Sequence, residues 1–316
     1  MTPSAPGSPS AAGSPPATSL RPALLRMLGA SAFFALMATF VGAAHRHDPS
    51  LSTVVASAVR SSVNLLVLVA ISIRAPSRLW GDRRGALWLR GVLGAASLLT
   101  YFGALSAVGI GEAAFLNNTS TIWVAVLAPF FLAEKTSPKT WIAIAGSLVG
   151  LALLAHPRTA SVAAGATATA AALVTRDLTG RILGLTSGMC AAGAYLSVRR
   201  ASATNGPTTI VFYFTLISTL VCVAILLYRG EPITIDLTTL ALLSAGGICA
   251  TIAQVWMTRA YQLGPAAPLA ASGAAGPLFA LLLGWAVLAQ APDGRALVGM
   301  AILLLAAVVL PFLSSR

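Results

Sequence analysis

Ten apolar stretches, each close to the length of a membrane-crossing helix, dominate this sequence of 316 residues. A helix needs about 20 apolar residues to cross the hydrocarbon layer of a bilayer. Apolar residues make up 57% of the chain and charged residues only 9%, too few to cover the surface of a soluble protein. The sequence therefore predicts an all-α membrane protein with ten transmembrane helices. They are expected at 23–44, 51–73, 87–108, 111–132, 138–156, 180–200, 208–228, 237–258, 265–289 and 294–314.

The basic residues indicate how this protein sits in its membrane. The net charge of +12 comes from 20 lysines and arginines against 8 acids. Most arginines, Arg90 included, are interpreted as flanks of apolar runs on the cytoplasmic side, where basic residues collect in membrane proteins. Scattered single arginines do not indicate nucleic-acid binding. We expect a multi-pass protein of the inner (plasma) membrane with both termini in the cytoplasm.

Two segments lack a long apolar run and divide the chain. Residues 1–20 are rich in Pro, Ser, Ala and Gly and carry no charge, which predicts a disordered cytoplasmic tail. They also lack the basic start and apolar centre of a secretory signal peptide. Residues 157–179 are rich in Ala and Thr and are interpreted as a linker. It would separate a first five-helix unit (21–156) from a second (180–314).

The two units align with each other when the chain is shifted by 156 residues. LAEKTSPKTWIAIAGSLVGLALL (132–154) then aligns with LAQAPDGRALVGMAILLLAAVVL (288–310), and YFGALSAVGIGEAAFL (101–116) aligns with MTRAYQLGPAAPLAAS (257–272). Because five is an odd number of helices, the second unit must be inverted relative to the first. Inverted repeats are typical of transporters, with the solute site near the middle of the membrane between the halves.

These motifs resemble the EamA-type transporters of the drug/metabolite transporter superfamily. FFLAEKTSPKTWIAIAGSLVGLALL (130–154) and GPLFALLLGWAVLAQ (276–290) carry most of the resemblance. The chain departs from the family pattern at Gln290, where a glutamate is usual, and at Thr121, which stands where Pro277 stands in the second unit. The resemblance implies a transporter of small organic solutes (a metabolite, an amino acid or a drug-like compound). It implies export by alternating access, with no cofactor and no catalytic role.

Arg60 is a charged residue well inside the second predicted helix. A charge at membrane depth costs about 2.5–3.5 kcal/mol on insertion scales, so it should face the protein interior or a water-filled cavity. Its guanidinium either binds a carboxylate or phosphate of the solute, or it pairs with neighbouring helices to hold their packing. The resemblance favours packing, because the family often has a basic residue here while carrying very different solutes.

A polar run in the fourth predicted helix gives further candidates for the solute cavity. Successive residues of a helix point about 100° apart, so at least one of Asn117, Asn118, Thr119 and Ser120 must face inward. We expect this run, Tyr101 and Arg60 to share one cavity; hydrogen bonding between helices is the alternative. Other candidate cavity residues are aromatic or polar side chains of later helices: Trp123, Tyr195, Tyr213, Gln254 and Trp256.

The two acids beside the fourth helix have structural interpretations. Glu112 begins this helix, where an acid interacts favourably with the helix dipole. Glu134 precedes Ser137 and Pro138, a typical cap and first turn of a helix, which indicates a role in the loop.

The alternative function is a membrane-embedded enzyme acting on a lipid or a lipid-linked substrate. Such enzymes usually place clustered acids or histidines at the membrane surface, and the sequence has no such cluster, P-loop or metal motif. His45 and His47 are interpreted as solvated loop residues. Gly146 and Gly150 in the fifth helix predict close helix packing within the chain, or a contact in a homodimer. The expected partners are a small solute and the lipid bilayer.

Overall fold

In the part of the chain that the structure describes, all regular secondary structure is helical. The computed structural model describes residues 20–74, 79–82, 84–108, 110–154, 170–230, 235–288 and 294–309. The helices are α1 (Arg21–His47), α2 (Thr53–Arg74), α3 (Arg84–Val108), α4 (Ile110–Asn118), α5 (Ser120–Leu132), α6 (Pro138–Leu154), α7 (Ala170–Ala201), α8 (Pro207–Arg229), α9 (Leu237–Leu263), α10 (Ala266–Gly273), α11 (Gly276–Leu288) and α12 (Gly294–Leu303), and a π-helical segment (Leu304–Val309) continues α12.

Seven stretches of these helices are long and apolar enough to cross a membrane, which agrees with a multi-pass membrane protein. They are Arg21–His47, Thr53–Ile73, Arg84–Ala104, Glu112–Leu132, Pro207–Arg229, Leu237–Leu263 and Ala266–Leu283. Shorter apolar helices cover Pro138–Leu153 and Leu297–Val308. The long helix α7, rich in glycine and small polar residues, is not among the seven. The count of ten crossings stays a prediction.

The predicted helices at 111–132 and 265–289 are each broken into two. The first break is at Thr119, whose hydroxyl donates to the carbonyl of Leu116 (2.6 Å) and so competes with the helix ladder. The second is at Ala274 and Ala275, just before Pro277, which has no N–H to offer the carbonyl of Gly273. Thr119 and Ala275 correspond under the 156-residue shift, so the two units are interrupted at the same place.

The helices pack in a pattern that is unchanged when the two units are exchanged. Helix α1 packs on α9 as α7 packs on α3, α2 packs on α8, and α6 packs on α12. A Cβ atom added at Gly146 would lie 2.7 Å from the Cβ of Ala306, and one at Gly150 would lie 2.9 Å from the carbonyl oxygen of Gly299. The predicted small-residue contact of the fifth helix is therefore made inside the chain, between α6 and the last helix.

The first helices of the two units run in opposite directions. At the start of α1, Leu20 and Ala23 lie next to Gly264, which follows α9. At the end of α7, Arg199 donates to the carbonyl of Tyr261 (3.1 Å), at the end of the same α9. We call this side of the bundle the Arg199 end. Helix α1 begins there, whereas α7 ends there.

The opposite side, which we call the Asp236 end, carries the start of α9. The carboxylate of Asp236 caps α9 by accepting from the N–H groups of Thr238 and Thr239, each at 3.2 Å. It also contacts Nε2 of His47 at 3.0 Å. Hydrogen bonding by Thr239, aided by His47, lowers the pKa of this carboxyl group. His47 is exposed, as predicted, but it is the last residue of α1 rather than a loop residue, and its contact with Asp236 joins the end of α1 to the start of α9.

Some predicted boundaries differ from the structure or lie outside the described residues. Helix α7 begins at Ala170, inside the predicted linker 157–179, because an alanine-rich stretch favours helix as much as it suggests a linker. The remainder of that linker up to 169, residues 1–19 of the predicted tail, Gln290 and residues 310–314 lie outside the described residues.

Candidate functional site

Arg90, which the sequence pattern assigned to a membrane flank, is buried inside the bundle with only 4% of its surface exposed. It lies six residues into α3, about 9 Å from the start of that helix at 1.5 Å per residue. Its Nη2 donates to Oε1 of Gln254 on α9 (3.1 Å), and its guanidinium carbon lies 4.3 Å from the centre of the Phe214 ring on α8. The structure therefore corrects the flank interpretation, since Arg90 joins the first unit to two helices of the second.

Gly94, one turn after Arg90, provides the room for this arrangement. A Cβ atom at position 94 would lie 2.6 Å from Nη1 of Arg90 and 2.5 Å from the Phe214 ring. Real Cβ atoms almost never come so close to other heavy atoms. The absence of a Cβ atom at position 94 therefore leaves the space in which the Arg90 guanidinium lies against Phe214.

Helix α9 presents a buried polar stripe to this arginine. Thr251, Gln254, Thr258 and Tyr261 are all buried, and spacings of three and four residues place them on one face of the helix. The Tyr261 ring stacks on Tyr195 of α7, with centroids 5.7 Å apart and planes at 19°. Tyr261 lies two turns from Gln254 on the same face of α9, so the stacked pair lies on the side of α9 that Arg90 contacts. We call Arg90, Tyr195, Phe214, Gln254 and Tyr261 the Arg90 cluster.

Several polar atoms in and beside this cluster have no hydrogen-bond partner in the described protein. They are Nε of Arg90, Oη of Tyr261 and Oγ1 of Thr258. A buried polar atom left without a partner costs about 1–3 kcal/mol. No carboxylate among the described residues is paired with Arg90. Because uncompensated charges inside membranes usually mark solute or ion sites, we take the Arg90 cluster as the candidate functional site.

The structure brings some of the predicted cavity residues to this cluster. Gln254 and Tyr195 belong to it, and Trp123 packs, partly buried, against the same apolar core as Tyr195. Trp256 does not join them. It lies two residues beyond Gln254, about 200° around α9, where it packs edge to face on Phe33 of α1 and keeps 40% of its surface exposed.

Arg60 lies in a different part of the bundle. Its Nη1 contacts Sδ of Met37 on α1 at 3.3 Å, and it lies toward the Asp236 end of α2. One turn further along α2, Asn64 accepts a hydrogen bond from Thr251 of α9 (2.9 Å). Arg60 therefore lies among α1, α2 and α9, and no ion pair joins it to an acid among the described residues.

The polar run of the fourth predicted helix makes mostly structural bonds. Nδ2 of Asn117 donates to Oγ of Ser187 on α7 (3.0 Å), whereas Nδ2 of Asn118 donates to the carbonyl of Ala114 in its own helix (2.8 Å). Ser120 is buried, with 6% of its surface exposed. The Asn117 bond matches the alternative of hydrogen bonding between helices.

Tyr101 lies on α3 with its ring centroid 6.2 Å from that of Phe102. Within the described residues, no hydrogen bond or ring contact joins Tyr101 or Asn118 to Arg60. One cavity shared by these three residues therefore stays a prediction.

The sequence pattern did not identify Arg90, Thr258 and Tyr261 as candidate site residues. Arg90 lies close to the start of its predicted helix, where flanking arginines also lie, so its position in the sequence does not distinguish it from them. The pattern that could have found the other two is the spacing Gln254, Thr258, Tyr261, a polar stripe at helical period in an apolar helix.

The acids beside the fourth predicted helix form ion pairs at opposite ends of the bundle. At the Arg199 end, Oε1 of Glu134 accepts from Nε of Arg199 (2.9 Å), and Oε2 accepts from the backbone N–H of Ala266 (2.8 Å). Glu112 accepts from Nε of Arg181 on α7 (2.8 Å), a partner that the dipole interpretation did not include. A surface cavity of about 380 Å³ also opens at the Arg199 end, lined by Arg84, Gly85, Ala86, Leu89, Ser197 and Arg200.

Comparisons with known proteins agree with this architecture. A family model described as the EamA-like transporter family matches residues 21–155 and again residues 178–311. The chain is 26% identical to the pseudopaline exporter CntI of Pseudomonas aeruginosa over 291 residues, which cover 92% of this chain and 96% of that protein. It is 25% identical to a riboflavin transporter of Rhizobium johnstonii over 215 residues, 68% of this chain and 66% of that protein.

A protein of known crystal structure has the same fold. It matches with a TM-score of 0.78 over 93% of this chain and 97% of its own, at 17% sequence identity. A likeness at this identity concerns the fold alone.

Proposed function

Because the chain belongs to the EamA-like transporter family, we propose that this membrane transporter exports small organic solutes by alternating access. The names of the relatives support transport as the class of function, since one is an exporter and another a transporter. Export is the direction that we infer for this chain, and a metabolite, an amino acid or a drug-like compound is the expected type of solute.

One observation carries the proposal: the Arg90 cluster lies between the two units. Arg90 belongs to the first unit, and its partners Gln254 and Phe214 belong to the second. Transporters built from repeats bind solutes where the repeats meet, because relative movement of the repeats exposes that place to either side in turn. A buried cation without a carboxylate partner among the described residues lies at this contact, and such a charge inside a membrane usually marks a solute or ion site.

The proposed topology has ten membrane crossings in two inverted repeats, 21–156 and 180–314. The opposite directions of α1 and α7 support the inversion, and the matching breaks at Thr119 and Ala275 support two related repeats. We place the Arg199 end, with both termini, in the cytoplasm, on the basic residues that collect there. The solute path would include the Arg90 cluster and the candidates Tyr101, Asn117, Asn118, Ser120 and Trp123. Arg60, which contacts Met37, and Trp256, which packs on Phe33, would lie outside it.

The test compares a strain that lacks the protein with one that overproduces it. Intracellular and extracellular small molecules are measured by mass spectrometry, with the empty vector as control. We expect at least one organic solute to accumulate inside the deletion strain and outside the overproducing strain. That solute should then cross the membrane of proteoliposomes that contain the purified protein.

Two results would contradict this function. One is an unchanged set of solutes although the protein is present in the membrane. The other is a change confined to lipid composition, which would favour the membrane-embedded enzyme instead.

A further inference from the structure

We propose that the Arg90 cluster binds a carboxylate group of the transported solute, an inference that rests on the proposed function and names its substrate class. The guanidinium is buried, and its described partners are neutral: the amide oxygen of Gln254 and the ring of Phe214. A charge kept out of water without a counter-charge is costly. An anionic solute would remove that cost on binding.

The charge balance favours a carboxylate over a phosphate. One guanidinium supplies one positive charge, and a carboxylate supplies one negative charge on two oxygens that fit the planar fork. A phosphate ester carries about −1.5 to −2 at neutral pH, so it would leave excess negative charge inside the bundle. No second cation is recorded against Arg90 among the described residues.

The unpartnered atoms supply the remaining hydrogen bonds. Nε of Arg90, Oη of Tyr261 and Oγ1 of Thr258 can each donate, and each is buried without an acceptor in the described protein. A carboxylate offers about four acceptor positions and no donor. Thr258 and Tyr261 lie one and two turns from Gln254 on one face of α9, so these donors lie on the side of the helix that Arg90 contacts. Donors of this kind are complementary to an anionic oxygen group.

Arg60 does not offer the same surroundings. Its described side-chain contact is the sulfur of Met37. The nearby polar residues Asn64 and Thr251 are already hydrogen-bonded to each other. The two buried arginines therefore differ in their neighbours: Arg90 has spare donors beside it, whereas Arg60 is packed against an apolar thioether.

The experiment uses the exported compound that the strain comparison identifies, together with its carboxamide, in proteoliposomes containing the full chain. Arg90→Gln and Arg90→Lys are compared with Arg21→Gln, which removes an exposed arginine at the Arg199 end, at the start of α1. Transport at low solute concentration is normalised to monodisperse protein. We expect Arg90→Gln to lower transport of the acid by about 10- to 100-fold, the effect of losing charged hydrogen bonds.

The other variants and the carboxamide test whether the effect comes from the charge and shape of the guanidinium. Arg90→Lys should fall between wild type and Arg90→Gln, because an ammonium keeps the charge without the planar fork. Arg21→Gln should transport like wild type. The neutral carboxamide should be transported poorly by wild type and should lose little further in Arg90→Gln. If Arg90→Gln does not fold, Gly94→Ala displaces the same guanidinium and should reduce the preference for acid over amide.

Three outcomes would count against the inference. An exported compound without a carboxylate would overturn it, and so would an acid-to-amide preference that Arg90→Gln leaves unchanged. In both cases the protein would still be a transporter. Absence of any exported compound would overturn the proposed function and this inference with it.

Discussion

Nε of Arg199 donates a 2.9 Å hydrogen bond to Oε1 of Glu134, which joins the end of α7 to the loop between α5 and α6. Each partner also holds a helix end. Oε2 of Glu134 accepts from the N–H of Ala266 in the first turn of α10, and Nη1 of Arg199 donates to the carbonyls of Tyr261 and Gln262 at the end of α9. One ion pair therefore connects the two units at the Arg199 end.

Glu134→Ala should destabilise the protein by about 1.5–3 kcal/mol, the range for hydrogen bonds to charged groups. The substitution removes both the ion pair and the acceptor for the Ala266 N–H. The measurement is thermal unfolding of the purified protein in detergent, with Lys139→Ala as the control at an exposed position of the neighbouring α6. Equal melting temperatures for the two variants would contradict the structural role of the pair.

Exchanging the charges, Glu134→Arg with Arg199→Glu, should fail to restore stability. An arginine at 134 cannot accept from the N–H of Ala266, and a glutamate at 199 cannot donate to the carbonyls of Tyr261 and Gln262. The double variant should unfold no higher than Glu134→Ala in the same assay. Recovery to the wild-type melting temperature would mean that only the charge pair matters.

Gly94→Ala should lower transport while the protein still folds. The new Cβ atom would come within 2.6 Å of Nη1 of Arg90 and displace it from Phe214, and such overpacking costs about 1–3 kcal/mol. Gly85→Ala is the matched control on the same helix, because a Cβ atom there meets nothing within 4 Å. Solute flux per folded molecule is compared for the two variants, and equal flux would show that the position of Arg90 does not matter.

Gly150→Ala should reduce thermal stability, again by about 1–3 kcal/mol, through the contact between α6 and α12. Its Cβ atom would meet the backbone carbonyl of Gly299 at 2.9 Å, and backbone cannot move aside as a side-chain tip can. Gly42→Ala, with nothing within 4 Å, is the control. The mass of the protein in detergent should stay the same, since this contact lies within one chain. A loss of dimer mass in Gly150→Ala would point to a contact between chains.

Arg60→Lys should lower stability by about 0.5–3 kcal/mol, the usual range for single substitutions, and should leave transport per folded molecule unchanged. The reason is that the guanidinium of Arg60 contacts Met37 inside the bundle. Abundance, melting temperature and flux of the exported solute are measured together. A large loss of flux at normal abundance would show instead that Arg60 binds the solute.

The orientation of the bundle can be tested with reporter fusions. A fusion at Trp80, whose carbonyl accepts from Tyr213 near the Arg199 end, should report the cytoplasm, and one at Gly230 should report the periplasm. The expectation follows from the basic residues at the Arg199 end. Alkaline phosphatase is active only outside and a fluorescent protein only inside, so the reverse pattern would invert the proposed topology.

The sequence predicted only part of the candidate site. Gln254 and Tyr195 were recognisable as polar or aromatic residues in apolar helices, and both belong to the Arg90 cluster. Arg90 was not recognised, because a residue six positions into a helix is within reach of the membrane surface by length alone. Whether its side chain turns outward to water or inward to Gln254 depends on which helices cover it.

The sequence by itself determined the class of the protein. Long apolar runs must form helices in a bilayer, since no water is there to satisfy the backbone, and the matching halves around 132–154 and 288–310 already indicated two related units. The tertiary structure decided which polar residues meet. Arg90 and Gln254 are 164 residues apart and come together only because α3 and α9 both pack on α7 and α8 in the folded bundle. Helical periodicity tells which residues share a face, but the neighbour of that face is set by long-range packing.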